Sequence, residues 1–494
     1  MQKSDSPEDI HRPLKFVNVG DLFNEAQEHH KSGNTDLALE MYHAILSKAV
    51  GDPMVLYQIG TIHMQKNNPG IAVELLGKVV ERKPDFGQAW NHLGICLKKV
   101  DHTKSADFAF EQAEKFLPNK PDVPNNRAGM YVNNGTPDKV LEHVERALSL
   151  DPNHVGARWH KALAFLEKQD WEHAWEWHEA RLDPDSGCDV AKRNYMVGAD
   201  TPWWDGKAKG LVALHGEQGL GDEIMFASCI PDAIKTGAKF VIECNPRLHG
   251  LFQRSFPQCE VHGTHKTDGE EWKNGRTVDY KCALGTLPKF FRRKESDFPG
   301  TSYLKVDSQK ANAYWQQLYA IGDRPKIGIT WQGGVQRTRM DLRSIYLPKL
   351  APILSLDADF ISLQYHQSAR EDIETLYNET GLEVQHWEEA ATGQDMDDQA
   401  ALISQLDLVV SVCQTVVHVS GGVGIPTLVM TPNKPSWRYG FIGNMPWYES
   451  VDLVRQASVE WEPTILEVKD KVCSFLKTID SRTKSSMKPI RITA

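Results

Sequence analysis

The 494-residue chain has no stretch approaching 18 consecutive apolar residues, so no segment reads as a membrane-spanning helix. Its opening, Met1-Gln2-Lys3-Ser4-Asp5-Ser6-Pro7, lacks the apolar core of a signal peptide. The eight cysteines are dispersed, with no Cys-x-x-Cys pair, which excludes a disulfide framework and suits reduced thiols. Basic excess is missing too: 56 Lys and Arg stand against 66 Asp and Glu, a net charge of -10, so nucleic-acid binding is not indicated. No Gly-Lys-Ser/Thr is present, and Gly219-x-Gly221 lacks the third glycine of a dinucleotide fingerprint, which excludes a Walker loop and a nicotinamide site. These absences predict a soluble, cytoplasmic protein.

What is present begins with length, since 494 residues exceed what one hydrophobic core supports and several domains are expected. The first third is periodic. Gly60 and Gly94 lie 94 − 60 = 34 residues apart in matching frames, one reading Leu56, Ile59, Gly60, Ala72, Leu76, Pro84 and the next Trp90, Leu93, Gly94, Ala106, Phe110, Ala113, Pro118. The same period finds Ala38 and Tyr42 upstream, then Tyr131, Ala147 and Pro152, then Phe165 and Ala174. This pattern resembles the tetratricopeptide repeat, in which small residues let paired helices approach and large ones fill the groove between neighbours. About five repeats over residues 15–186 are expected, stacked into a superhelix whose concave face takes a protein partner. The aromatic last repeat, Trp171 to His178, reads as a cap against the next domain. Residues 187–209 read as a linker.

From Gly210 the texture changes to short apolar runs alternating with helical patterns, which predicts parallel sheets with crossover helices. The run Leu211 to Leu214 breaks into His215-Gly216-Glu217-Gln218-Gly219-Leu220-Gly221-Asp222 and opens onto a helix. Such a strand-turn-helix junction lies where ligands bind in open α/β sheets. A second set of strands is expected at Lys326 to Thr330, Phe360 to Gln364, Leu406 to Val412 and Thr427 to Met430.

In order along the chain, Glu217 to Asp222, Trp331-x-Gly333, Arg343-Ser344, Ser362-Leu363-Gln364, Ser411-Val412 through His418-x-x-Gly421, Trp437-Arg438 and Trp447-Tyr448 resemble the heptosyltransferase-like (family 9) glycosyltransferases of bacteria. The resemblance implies an α + α/β chain: a tetratricopeptide superhelix, then a GT-B pair of Rossmann-like halves. These halves fall at 210–310 for the acceptor and 325–460 for the donor, with a helix at 461–480 crossing back and a loose tail at 481–494.

It implies inverting, metal-independent transfer from a nucleotide-diphosphate sugar, with no other cofactor, to a protein or glycan acceptor. Asp222 would be the general base; its alternative is an ordinary helix N-cap, and one carboxylate cannot fill both roles at once. Gln218, Gly219 and Gly221 would form the acceptor-side loop. Donor phosphate would meet Gly333, Arg337, Arg343, Gln414, Thr415, Val416, His418 and Gly421, through guanidinium groups and the N–H groups of a helix start. Trp331 and Trp437 would line the cleft.

Cys413-Gln414 stands where many members carry Asp-Thr, so a non-catalytic scaffold is the second expectation, and a nucleotide-sugar epimerase or hydrolase of the same fold is the third. Cys259, His262 and His265 have metal-ligand types but no fourth partner. The run Asp395 to Asp398 reads as charge at a helix start.

Overall fold

The computed structural model describes residues 18–186, 200–264, 272, 275–334, 338–365, 368–391 and 393–483. The chain divides into two compact units, residues 1–130 with 142–154 and residues 131–141 with 155–494.

Helices run in pairs: α1 (Val19–Lys31) and α2 (Thr35–Leu46), α3 (Pro53–Gln65) and α4 (Pro69–Arg82), α5 (Gly87–Lys99) and α6 (Thr103–Phe116), α7 (Asp122–Tyr131) and α8 (Pro137–Leu150), α9 (Val155–Glu167) and α10 (Trp171–His178). The 34-residue spacing is written into the backbone. Gly33, Asn67, Asp101, Gly135 and Gln169 all have positive φ, each in the turn between the two helices of a pair. It is equally plain in burial: Ala38, Ala72, Ala106, Val140 and Ala174 have no exposed surface, and neither do Tyr42, Leu76, Phe110, Val144 and His178.

A third series, Ile45, Val79, Ala113, Ala147 and Arg181, is buried at every position. The last repeat therefore places a histidine and an arginine, both without exposed surface, where its predecessors place apolar side chains.

The second unit contains two parallel sheets. The first has the order β3-β2-β1-β4, from β1 (Leu211–His215), β2 (Lys239–Cys244), β3 (Glu260–Gly263) and β4 (Tyr280–Ala283). The second has the order β6-β5-β7-β8-β9, from β5 (Lys326–Ile329), β6 (Asp359–Ser362), β7 (Leu408–Val412), β8 (Thr427–Thr431) and β9 (Val451–Arg455). Strand β9, pairing with β8 from Val451 opposite Thr427 to Arg455 opposite Thr431, is an addition to the strands the sequence predicts. Central strands β7 and β8 are buried throughout, as strands covered on both faces are.

Around the sheets lie α11 (Leu220–Ala227), α12 (Ile230–Lys235), α13 (His249–Ser255), α14 (Ser308–Ala320), α15 (Ala369–Thr380), α16 (Met396–Ile403), α17 (Thr415–Val423) and α18 (Glu462–Thr483). Two expectations are corrected. The terminal helix α18 does not carry its apolar stripe to the first sheet: Ile465, Val468 and Val472 are buried in the second sheet's core with Met430 and Val454. The unit boundary also falls before Val155 rather than in the segment 187–209, because α9 and α10 share the core of the first sheet through Leu166, Trp171 and Trp175.

Candidate functional site

In an open parallel sheet the ligand crevice lies beyond the carboxyl ends of the two strands where the order reverses. In the second sheet these are β5 and β7. Three segments meet at their mouth. A Cβ on Gly333 would lie 2.8 Å from Arg343 Cβ and 3.0 Å from the Cys413 carbonyl oxygen, so only glycine fits. Arg343 Nη1 donates to that carbonyl at 3.1 Å and Nη2 to Thr338 Oγ1 at 2.6 Å, while Nε is buried without a partner. Among the described residues no carboxylate lies within ion-pair distance of Arg343 or Arg339.

Arg339 adopts φ of +63° and reaches the Asn133 carbonyl at 3.5 Å. Burial lowers its proton affinity, and Arg343 adds to that; Glu167 acts the other way. Glu167 is itself buried, and burial pushes its carboxyl up to about 7 against the pull of N–H groups from Gly135 and Asn133. Beside Arg343, α17 begins at Thr415 with no side chain capping its first turn. Gln414, in the N-cap position, has both amide atoms buried and unpartnered. Uncompensated guanidinium, free helix N–H groups and an unsatisfied amide together make a receptor for an anion. Arg337 lies outside the described residues, as does His265.

Other expected donor contacts serve packing instead. A Cβ on Gly221 would lie 2.9 Å from His418 Cδ2 and 3.7 Å from Thr415 Cα, so the first turns of α11 and α17 touch. His418 is buried, with Nδ1 3.3 Å from the Tyr448 hydroxyl, and burial holds its imidazole down to about 3, hence neutral near pH 7. Gly421 lies under the Tyr448 ring, where any side chain would collide. Val416 is fully buried. His418 and Gly421 thus form a seam between helices, while Val416 buries its side chain and keeps its N–H among those at the helix start.

Asp222 is the third residue of α11, and its Oδ2 accepts the Gly219 N–H at 3.2 Å, so Gly219 rather than Asp222 is the N-cap. Its Oδ1 accepts from Arg438 Nε, and Arg438 Nη2 donates to Gln218 Oε1 at 2.7 Å. The expected base is therefore tied across the two sheets by a residue that the sequence reading left without a role. Trp331 and Trp437 do not line a cleft. Both are buried, Trp331 in the second sheet's core with its indole donating to Asp372 at 2.8 Å, and Trp437 under the Arg438 guanidinium, 4.7 Å from ring centre. An indole ring buries more apolar surface in a core than at a rim.

In the first sheet the order reverses between β1 and β4. That mouth is filled. Glu217, with no exposed surface, accepts Arg181 Nε at 2.7 Å, Arg181 Nη2 at 2.8 Å and the Gly285 N–H at 2.5 Å. The sequence signal that marks this pair is the charged residue at a repeat position otherwise held by Ile45, Val79, Ala113 and Ala147. Cys259 is buried in the core, and His262 bonds to Glu260 at 2.7 Å. Asp397 pairs bidentately with Arg254 at 2.8 and 2.9 Å, and Lys310 bridges Asp395 and Asp398, so the acidic run ties α16 to its neighbours.

Residues 57–122 match the tetratricopeptide repeat family model. Over 430 residues the chain is 28% identical to Protein FlbA of Caulobacter vibrioides (strain ATCC 19089 / CIP 103742 / CB 15), covering 83% of this chain and 71% of that protein. Similar solved structures include MamA, at 22% identity, 33% of this chain, 93% of that chain and a TM-score of 0.30. Another is YrrB, described as a TPR protein with an unusual peptide-binding site, at 20% identity, 33% and 84% coverage and a TM-score of 0.30. Residues 57–122 are thus a tetratricopeptide region, and parallel α/β sheets follow the helical pairs along the chain. None of the described helices is long and apolar enough to cross a membrane.

Proposed function

We propose that the second sheet binds a nucleotide-diphosphate sugar at the mouth of β5 and β7, and that the two sheets act as a GT-B glycosyltransferase of the heptosyltransferase-like kind. The sugar is moved with inversion onto a hydroxyl of an acceptor recruited by the repeats. The observation that carries this reading is Arg343, a guanidinium without a carboxylate partner, held by the Cys413 carbonyl next to the open start of α17. A diphosphate there receives charge-assisted hydrogen bonds in the ground state and stronger ones as it departs.

In this reading Asp222 takes the acceptor proton while the hydroxyl oxygen bonds to the anomeric carbon and the carbon–oxygen bond to the diphosphate breaks. Asp222 must first exchange Arg438 for that hydroxyl. A bound diphosphate, carrying more negative charge than one carboxylate, offers Arg438 the alternative partner.

Titration calorimetry of the full chain with a panel of nucleotide-diphosphate sugars tests this. One donor should bind, Arg343→Ala should weaken it at least about tenfold, and Asp222→Asn should abolish transfer while keeping donor affinity. Absence of binding across the panel rejects the reading. It would favour a non-catalytic scaffold, a second reading supported by the closed Asp222–Arg438–Gln218 tie and the tight contact of α11 with α17.

A further inference from the structure

Arg343 has a neighbour at the β5/β7 mouth that carries the same charge on a strained backbone. Arg339 immediately precedes the 3₁₀ turn Met340–Arg343, and its carbonyl accepts the Leu342 N–H at 3.2 Å, so the two arginines stand at the ends of one short turn. The Arg339 φ of +63° is the left-handed conformation, in which a Cβ crowds the backbone. Among the described residues Arg339 is the one basic residue at a positive φ; the other non-glycine positions hold Asn, Asp or Gln. Asn and Asp tolerate that conformation through local hydrogen bonds, which arginine does not make.

The side chain is no better settled than the backbone. Among the described residues its one hydrogen bond is the 3.5 Å reach of Nη1 to the Asn133 carbonyl, and no carboxylate pairs with it. Nε and Nη2 have no partner and are not sealed from solvent, so both can meet an incoming acceptor. Burial lowers the proton affinity of this guanidinium and Arg343 lowers it further, so the two charges feel each other. Like charges brought together, partly out of water and on a strained backbone, cost stability, and such features gather where a ligand uses them.

We propose that Arg339 is a second guanidinium of this anion site, that it and Arg343 take the two phosphoryl groups of a diphosphate between them, and that Arg339 sets the preference for a diphosphate over a monophosphate. Two planar forks each take oxygens from a separate phosphoryl group, whereas a monophosphate satisfies one fork well. The Asn133 carbonyl belongs to the turn between α7 and α8, so the helical region supplies the contact that aims this arginine. The proposal rests on the anion site at this mouth and not on sugar transfer.

The test titrates the full-length protein with inorganic pyrophosphate and, separately, with orthophosphate, by calorimetry at pH 8 and fixed ionic strength. Pyrophosphate should bind at least about tenfold more tightly. Arg339→Asn, which suits the left-handed backbone, should cut that ratio to about twofold or less and leave orthophosphate affinity within about twofold. Arg339→Lys, a point charge without the fork, should fall between the two. Because strain is relieved, Arg339→Asn should melt no lower than wild type, whereas loss of a structural arginine would lower the melting temperature. Equal affinity for the two anions, a ratio unmoved by Arg339→Asn, or an Arg339→Asn variant that melts lower and binds as before would overturn the assignment. Pyrophosphate binding that depends on Arg339, with no response to nucleotide-diphosphate sugars, keeps this assignment and rejects sugar transfer; donor binding indifferent to Arg339 does the reverse.

Discussion

Replacing Arg181 by methionine should cost the second unit more than any comparable surface change. The guanidinium has no exposed surface; besides its two bonds to Glu217 it donates to Glu179 at 2.8 Å, to the His178 carbonyl at 3.0 Å and to Thr286 Oγ1 at 3.0 Å. Burial works against its charge, but Glu217 and Glu179 together hold its proton affinity above the ordinary value. Methionine fills much of the volume and removes the charge, leaving Glu217 buried with the Gly285 N–H. Breaking such a pair from one side costs about 3–5 kcal/mol. At about 2.1 cal/mol/K of unfolding entropy per residue, a unit of about 350 residues then melts roughly 4–7 °C lower.

The loss should depend on pH. An orphaned buried carboxyl has a folded pKa above its unfolded value of about 4.3, so the variant's stability falls as pH rises between the two, by about 1.4 kcal/mol per unit. Calorimetric melting at pH 5 and pH 8 should therefore show a larger gap from wild type at pH 8. The double variant Arg181→Met/Glu217→Gln should recover part of it and lose the pH dependence. A single variant melting within about 1 °C of wild type at pH 8, or an equal gap at both pH values, would refute the argument.

Glu167 supplies a pH signature of its own. Burial raises its carboxyl to about 7, above an unfolded value near 4.3, so its stabilising contribution is complete below about pH 4 and is lost as pH climbs to 7. Glu167→Gln should level the urea midpoint over that window, as read by circular dichroism at each pH. In the repeats, two glycines should respond with opposite sign. Gly94→Ala brings a methyl within 2.8 Å of the buried Phe110 ring and should cost about 1–3 kcal/mol, whereas Gly77→Ala in α4 meets nothing within 4 Å and should gain about 0.5–1 kcal/mol, both measured by chemical denaturation.

The repeat array was legible because its physics is local. Gly60 against Leu76 and Gly94 against Phe110 are contacts inside one helix pair, so their spacing recurs in the chain. The β5/β7 mouth was legible for a related reason: Gly333 is required where three backbones converge. Partner choice across long separations was not. Glu217 finds Arg181 36 residues away and Asp222 finds Arg438 216 residues away, and no local pattern encodes either. Trp331 and Trp437 were misplaced because an aromatic beside a glycine-rich turn looks the same in sequence whether it lines a rim or fills a core. Strand β9 escaped notice because Val451-Asp452-Leu453-Val454-Arg455 mixes charge into a five-residue edge strand.

The last helical repeat belongs physically to the sheets, and this governs how the molecule can be dissected. Trp175 packs edge-on against Trp437 and Trp447, and its indole donates to the Arg292 carbonyl at 2.7 Å. A truncation that starts at Gly210, at the visible change of sequence texture, strips those rings of their cover and strands Glu217. Because the second unit also takes in residues 131–141, whose Asn133 and Gly135 N–H groups hold Glu167, the shortest autonomous fragment has to begin ahead of Tyr131, well inside the helical pairs.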